Sequence, residues 1–106
     1  MSLSKQHCVP CEGGVQPLAK NEAHAYHSEV PLWTLHNKSL EREFKFKDFK
    51  EAMVFVNKVA EVAEAEGHHP DVYMFYNRVR LQLTTHAIGG LSTNDFILAV
   101  KVDALL

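Results

Sequence analysis

Residues 48–67 limit the fold of this chain more than any other stretch. Phe49, Ala52, Met53, Val56, Val59, Ala60 and Ala63 recur at helical spacing and give one apolar face. Lys47, Lys50, Lys58, Glu61 and Glu64 fall elsewhere. Asp48 with Glu51 three residues later has the spacing of a capping box, with Asp in place of the usual Ser or Thr. Gly67 supplies the left-handed stop that ends many helices. A helix with such a stripe must bury it against a second layer, and 106 residues leave room for one compact domain.

Short strands in pairs supply that layer. Residues 32–35 read as a strand, His36-Asn37-Lys38-Ser39 as a turn, and residues 40–46 as a second strand in which Leu40, Phe44 and Phe46 alternate with charged neighbours. After the helix, residues 72–76 form an aromatic strand. Residues 78–85 put Val79, Leu81, Leu83 and Thr85 on one face and Arg78, Arg80, Gln82 and Thr84 on the other. Gly89-Gly90 marks a turn, Ser92 with Asp95 repeats the capping spacing, and Phe96, Ala99, Val100 and Ala104 stripe a final helix. A weaker helix falls within residues 17–27. The order α-β-β-α-β-β-α predicts an α+β fold, a single four-stranded antiparallel sheet with helices packed on one face. Residues 1–30 are expected to be a partly flexible leader with that weak helix, and residues 31–106 the folded domain.

Charge and hydropathy exclude several classes of function. Eleven Lys and Arg against 13 Asp and Glu give a net charge of −2, unlike the basic footprint of a nucleic-acid binder. No apolar run reaches the ~18–20 residues of a membrane span, and no apolar stretch resembling a secretory signal opens the chain. A cytoplasmic protein without membrane attachment is expected. A domain this small gains from self-association, so a homodimer or homotetramer is expected as well. Cys8 and Cys11 form a Cys-x-x-Cys pair, which needs about four ligands to close a zinc site. Completing one would take His7, His24, His27 or a second chain. The alternative is a leader with incidental thiols.

Seven histidines are the compositional oddity. Imidazole titrates near neutrality, so its clustering points to proton transfer or metal binding. His68-His69-Pro70 follows the helix stop directly, and the partial negative charge of a helix C-terminus favours an imidazolium there by ~0.3–1 kcal/mol. His86 ends the long strand with the parity of its polar face, so the helix end and the strand end can converge into a three-histidine site. Two alternatives stand beside this: a solvated turn, or a zinc site with three histidines and an open position. The awkward geometry of adjacent histidines on one metal speaks against the zinc site.

The run Glu64-Ala65-Glu66-Gly67-His68-His69-Pro70, followed at set intervals by Tyr76, His86 and Asp95, resembles the signature of the pterin-4a-carbinolamine dehydratases. The likeness extends upstream through Phe44-Lys45-Phe46-Lys47-Asp48-Phe49 and to Trp33, covering residues 31–106. It leaves the Cys-x-x-Cys segment without a role.

The resemblance implies dehydration of a 4a-hydroxytetrahydropterin, supplied by an aromatic amino acid hydroxylase, to a quinonoid dihydropterin. Neither metal nor cofactor takes part. It implies proton transfer by His68 and His86, and substrate binding by His69, Glu64, Asp95 and Trp33. Glu64 stands one helical turn before His68 and is expected to orient that ring or bind the pterin's amino-amide edge. A second function implied by the same resemblance is that of a dimerisation partner of a transcription regulator.

Overall fold

The computed structural model describes residues 3–9 and 16–106. A short helix, α1 (Lys20–His27), precedes a hairpin of β1 (Thr34–Leu35) and β2 (Leu40–Lys45). Then come the long helix α2 (Phe49–Glu66), β3 (Asp71–Phe75), β4 (Arg78–Leu83) and the last helix, α3 (Thr93–Asp103). Two 3₁₀ turns, Leu3–Lys5 and His86–Ile88, accompany them. The strands form one antiparallel sheet in the order β1-β2-β4-β3. The fold is the α+β arrangement that the sequence pattern predicts. Among the described residues, no helix is long and apolar enough to cross a membrane.

Local chemistry sets the bounds of α2. Asp48 is extended, and its carboxylate accepts a hydrogen bond from the Glu51 N–H at 2.9 Å. The Glu51 carboxylate reaches back to the N–H of Lys47 at 3.2 Å. At the other end Gly67 adopts φ +66°, a conformation that costs glycine little and other residues more. The N–H of His68 then returns to the Ala63 carbonyl at 3.2 Å, closing a Schellman turn. This turn fixes the direction in which His68 and His69 leave the helix.

Residues paired across the sheet share a face. Leu40, Arg42 and Phe44 lie opposite Leu83, Leu81 and Val79, and this face carries the helices. The buried stripe of α2 runs through Ala52, Phe55, Val59 and Ala63. It is rotated from the expected one, which contained Phe49 and Ala60. Phe55 decides the rotation, packing with ring centroids 4.7 Å from Phe44 and 5.0 Å from Phe46. Phe49 instead stacks on Tyr76 at the surface. Helix α3 is more enclosed than its expected stripe, with Phe96, Ile97, Leu98, Ala99 and Val102 all buried. Its last residue, Asp103, uses one carboxylate oxygen to accept from Trp33 Nε1 at 2.8 Å and Arg42 at 2.7 Å.

Residues expected to form a leader add to this core. Leu3, Ala23 and Val30 are all buried in the main cluster. Residues 3–9 lie against α2 and α3 through Glu66, which accepts from the Cys8 N–H at 2.8 Å and stands 3.0 Å from His7 Nδ1 and 3.8 Å from Lys101 Nζ. Burial pushes the Glu66 carboxyl upward. The Cys8 amide, His7 and Lys101 outweigh it and hold the group below its ordinary value.

A carboxyl with a depressed folded pKa stabilises fully above its unfolded value, here 4.5, and loses that contribution as pH falls through the folded one. Glu66→Ala is therefore expected to cost about 1–3 kcal/mol in urea unfolding at neutral pH. The gap from the unaltered protein should narrow as pH falls below 4.5 and through the lowered value of the folded state. A gap independent of pH would show that the charge of Glu66 does not hold this segment.

Candidate active site

Three histidines line one cavity of about 290 Å³: His68 and His69, just past α2, and His86, just past β4. Thr84, Val9 and Asn94 are also in its wall. His86 does not lie on the strand as the alternation suggested. Thr85 pairs with Gly90 through an N–H···O bond of 2.9 Å, and the Ile88 N–H bonds the Thr85 carbonyl at 3.2 Å, so the chain winds into the 3₁₀ turn His86–Ile88. His86 opens that turn as an exposed side chain.

Asp95 anchors the site. It is 0% exposed, and each of its oxygens accepts from a neighbour. Oδ1 lies 2.6 Å from His68 Nε2. Oδ2 accepts from the Thr85 hydroxyl and from the Ser92 N–H, both at 2.9 Å. Thr85 has one hydroxyl proton and gives it to Asp95, so the 2.8 Å contact between Thr85 and Ser92 uses the proton of Ser92. Two donors, the Thr85 hydroxyl and the Ser92 N–H, already serve Oδ2; with Asp95 as a carboxylate, Oδ1 can only accept, and the bond to His68 then needs its proton on Nε2. Nδ1 is then the atom of His68 that can exchange a proton with a ligand.

Asp95, expected from the sequence to bind substrate, is fully buried behind His68 and is not among the residues of the cavity wall. Glu64 also differs from expectation. It bonds His69 Nε2 at 2.5 Å rather than orienting His68. The left-handed Gly67 turn sends His68 inward to α3 and leaves His69 beside the last turn of α2. The Glu64–His69 pair is exposed on both sides, so it orients a ring more than it stabilises the fold. Trp33 is not brought to the cavity. It is 1% exposed, packs edge-on to Phe44 at 6.0 Å and is held by Asp103. Tyr76 lies in the β3–β4 turn, at the opposite end of β4 from His86.

Thr85, Ser92, Asn94 and Val9 were not singled out as site residues from the sequence. Thr85 reads as an inward strand residue and Ser92 as a cap, and both descriptions hold while omitting the hydroxyls' contact with each other and with Asp95. Nothing in the pattern marks Val9 or Asn94. Of the Cys-x-x-Cys pair, Cys8 is partly buried with Sγ 3.6 Å from the Asn94 carbonyl oxygen, and Cys11 lies outside the described residues. No three His, Cys, Asp or Glu side chains among the described residues are grouped to hold a metal ion.

Larger cavities lie elsewhere. One of about 500 Å³ is lined by Phe46, Val54, Phe55 and Leu105, and another of about 410 Å³ by Lys20, His24 and His36. In neither do the described residues include a histidine held by a buried carboxylate, which is why the smaller cavity is the candidate.

Fold and site together define a small α+β protein with a histidine-lined cavity, one histidine held by a buried carboxylate, at the junction of two helices and a strand end. A family model described as pterin 4 alpha carbinolamine dehydratase matches residues 16–105. A relative from Halorhodospira halophila, provisionally named pterin-4-alpha-carbinolamine dehydratase, is 50% identical over 107 residues, spanning 99% of this chain and 98% of its own. One from Nitrosomonas eutropha with the same provisional name is 50% identical over 105 residues, spanning 98% and 93%. A crystal structure described as a transcriptional coactivator/pterin dehydratase from Brucella melitensis superimposes with a TM-score of 0.80 at 33% identity, covering 85% of this chain and 98% of that one. The chain belongs to the pterin-4a-carbinolamine dehydratase family of hydro-lyases.

Removing the buried carboxylate strands three donors at once. Asp95→Ala is expected to lower unfolding free energy by about 2–4 kcal/mol, since an unpaired buried donor costs about 1–3 kcal/mol and part of the loss is relieved by hydroxyl rotation. Urea titration measures it. A cost under about 0.5 kcal/mol, the range of ordinary surface changes, would mean that Asp95 is not the anchor.

Proposed function

We propose that this chain dehydrates a 4a-hydroxytetrahydropterin to the quinonoid dihydropterin, with His68 and His86 as the proton-transfer groups. The observation that carries the reading is the histidine-lined cavity in which a buried carboxylate holds His68 by Nε2. In this reading the substrate comes from an aromatic amino acid hydroxylase that consumes a tetrahydropterin.

The reaction removes a hydroxyl from C4a and a proton from N5, and the products are water and a C4a=N5 double bond. Hydroxide leaves poorly, so the oxygen needs a proton as the C–O bond breaks. The lone pair on N5 drives that departure, and the N5 proton must then go to a base. His68 suits the base. Its Nδ1 takes the proton while Asp95 stabilises the resulting imidazolium through Nε2, the arrangement that a carboxylate gives the histidine of a hydrolase triad. His86, exposed at the start of its 3₁₀ turn, gives its proton to the departing oxygen. His69, oriented by Glu64, binds the amino-amide edge of the pterin. Positioned acid and base groups of this kind each contribute typically ~10²–10⁴-fold.

A protein-binding role is the second reading. The description of the Brucella relative joins a coactivator to a pterin dehydratase. Here Val72, Tyr73 and Phe75 lie exposed on β3, an edge strand with backbone groups open to another chain. The same edge supports self-association into a dimer or tetramer.

Generating the carbinolamine with a hydroxylase and following the quinonoid product tests the first reading. His68→Ala and His86→Ala are each expected to lower kcat by about 10²- to 10⁴-fold while the protein stays folded by circular dichroism. Full activity in either folded variant would remove that histidine from the mechanism. A purely protein-binding function predicts no turnover by the unaltered chain.

A further inference from the structure

The histidines make up only part of the cavity wall; the rest includes a segment far away in sequence. Val9 lines the same space as His68, His69 and His86, and its side chain is 65% exposed. Its backbone is held on both sides by one residue. The Val9 N–H donates to Asn94 Oδ1 at 3.0 Å, and Asn94 Nδ2 donates to the Val9 carbonyl at 2.6 Å. A side-chain amide that pairs with both polar groups of a residue acts as a strand neighbour would, fixing where that residue's side chain goes. Asn94 is itself 3% exposed, so the pairing is shielded from water.

Two further anchors hold the segment. Leu3 is fully buried in the core, and the Cys8 N–H is bonded to Glu66 on the last turn of α2. Residues 3–9 thus form a strap that crosses the ends of α2 and α3 and reaches the cavity at Val9. Neighbouring residues on the first turn of α3 divide the work: Asp95 holds His68, and Asn94 holds Val9. The family match begins at residue 16, so this wall comes from outside the matched stretch.

We infer that the strap belongs to the substrate site, with Val9 as an apolar contact for the bound pterin and Asn94 as the positioning residue that sets it there. The inference rests on the dehydratase reading. Histidines and Glu64 offer polar and proton-transfer contacts, whereas the faces of a pterin bicycle are flat and weakly solvated. An apolar side chain held rigidly at the mouth of a polar cavity fits such a face. It touches no reacting atom, so it binds ground state and transition state alike and acts on KM rather than kcat.

The test compares the full chain with Val9→Ala and Asn94→Asp in the carbinolamine assay. Val9→Ala removes exposed methyl groups and leaves the strap's hydrogen bonds intact. It is expected to raise KM about 3- to 10-fold with kcat within about twofold. Asn94→Asp keeps the acceptor for the Val9 N–H but sets an oxygen against the Val9 carbonyl, and is expected to raise KM at least as much. The pH profile of kcat stays that of the unaltered protein in Val9→Ala; Asn94→Asp adds a carboxylate to the wall shared with the histidines, so it is read by KM alone. Unchanged KM in folded Val9→Ala, or a fall in kcat with a shifted pH profile, overturns the role of the strap. Turnover by the unaltered protein with wild-type KM in both variants overturns the strap alone; absence of turnover by the unaltered protein overturns the dehydratase reading with it.

Discussion

One buried carboxylate ties this molecule together. Asp95 lies in the first turn of α3 with no exposure, where an ionised group is costly unless donors surround it. The donors come from three places: His68 beyond α2, Thr85 beyond β4, and Ser92 at the start of α3 itself. None of these segments can move without leaving Asp95 short of a partner. The requirement to satisfy one group therefore fixes the relative placement of a helix end, a strand end and a helix start, and the cavity lies at their meeting point.

Helix α3 extends this role along its length. Its first turn holds His68 and Val9 through consecutive residues, and its last holds Trp33 and Arg42 through Asp103. Its middle is buried, with α2, α1 and the Leu3–Lys5 turn packed around it. A site built on such a helix inherits the rigidity of the core, which matters because a proton-transfer group misplaced by about 1 Å can cost on the order of 10²-fold. The strap of residues 3–9 is attached to the same frame through Glu66 and Asn94, so the amino-terminal part of the chain is secured at the site as well as at the core.

How much of this was legible in the sequence depended on the range of the interaction. Asp48, Glu51 and Gly67 mark the ends of α2 through bonds made within a few residues, and the pattern revealed them. The alternation of Val79, Leu81 and Leu83 revealed which face of β4 is buried. The rotation of α2 escaped, because two apolar stripes were available and Phe55 chose between them through Phe44 and Phe46, which belong to another element. The strand parity assigned to His86 failed where the Thr85–Gly90 pairing bends the chain into a 3₁₀ turn. Glu64 faces the histidine next to the expected one, since a left-handed residue shifts every direction after it. Trp33 matched the family pattern, yet the structure buries it and gives its indole N–H to Asp103, seventy positions away. Val9 and Asn94 meet across 85 positions, and no periodicity reports such a pair.

The same geometry explains why two adjacent histidines can serve different purposes. His68 has Nε2 committed to a carboxylate buried in the core, so its ring cannot turn without breaking the anchor, and Nδ1 keeps a fixed direction. His69 also uses Nε2, but its partner Glu64 is 76% exposed on a helix surface, where both side chains can rotate together. A ring held by the core is suited to a proton transfer that demands alignment. A ring held by a surface side chain is suited to adjusting around the polar edge of a ligand. The dipeptide obtains both from one glycine, because the turn at Gly67 sends consecutive side chains to opposite environments.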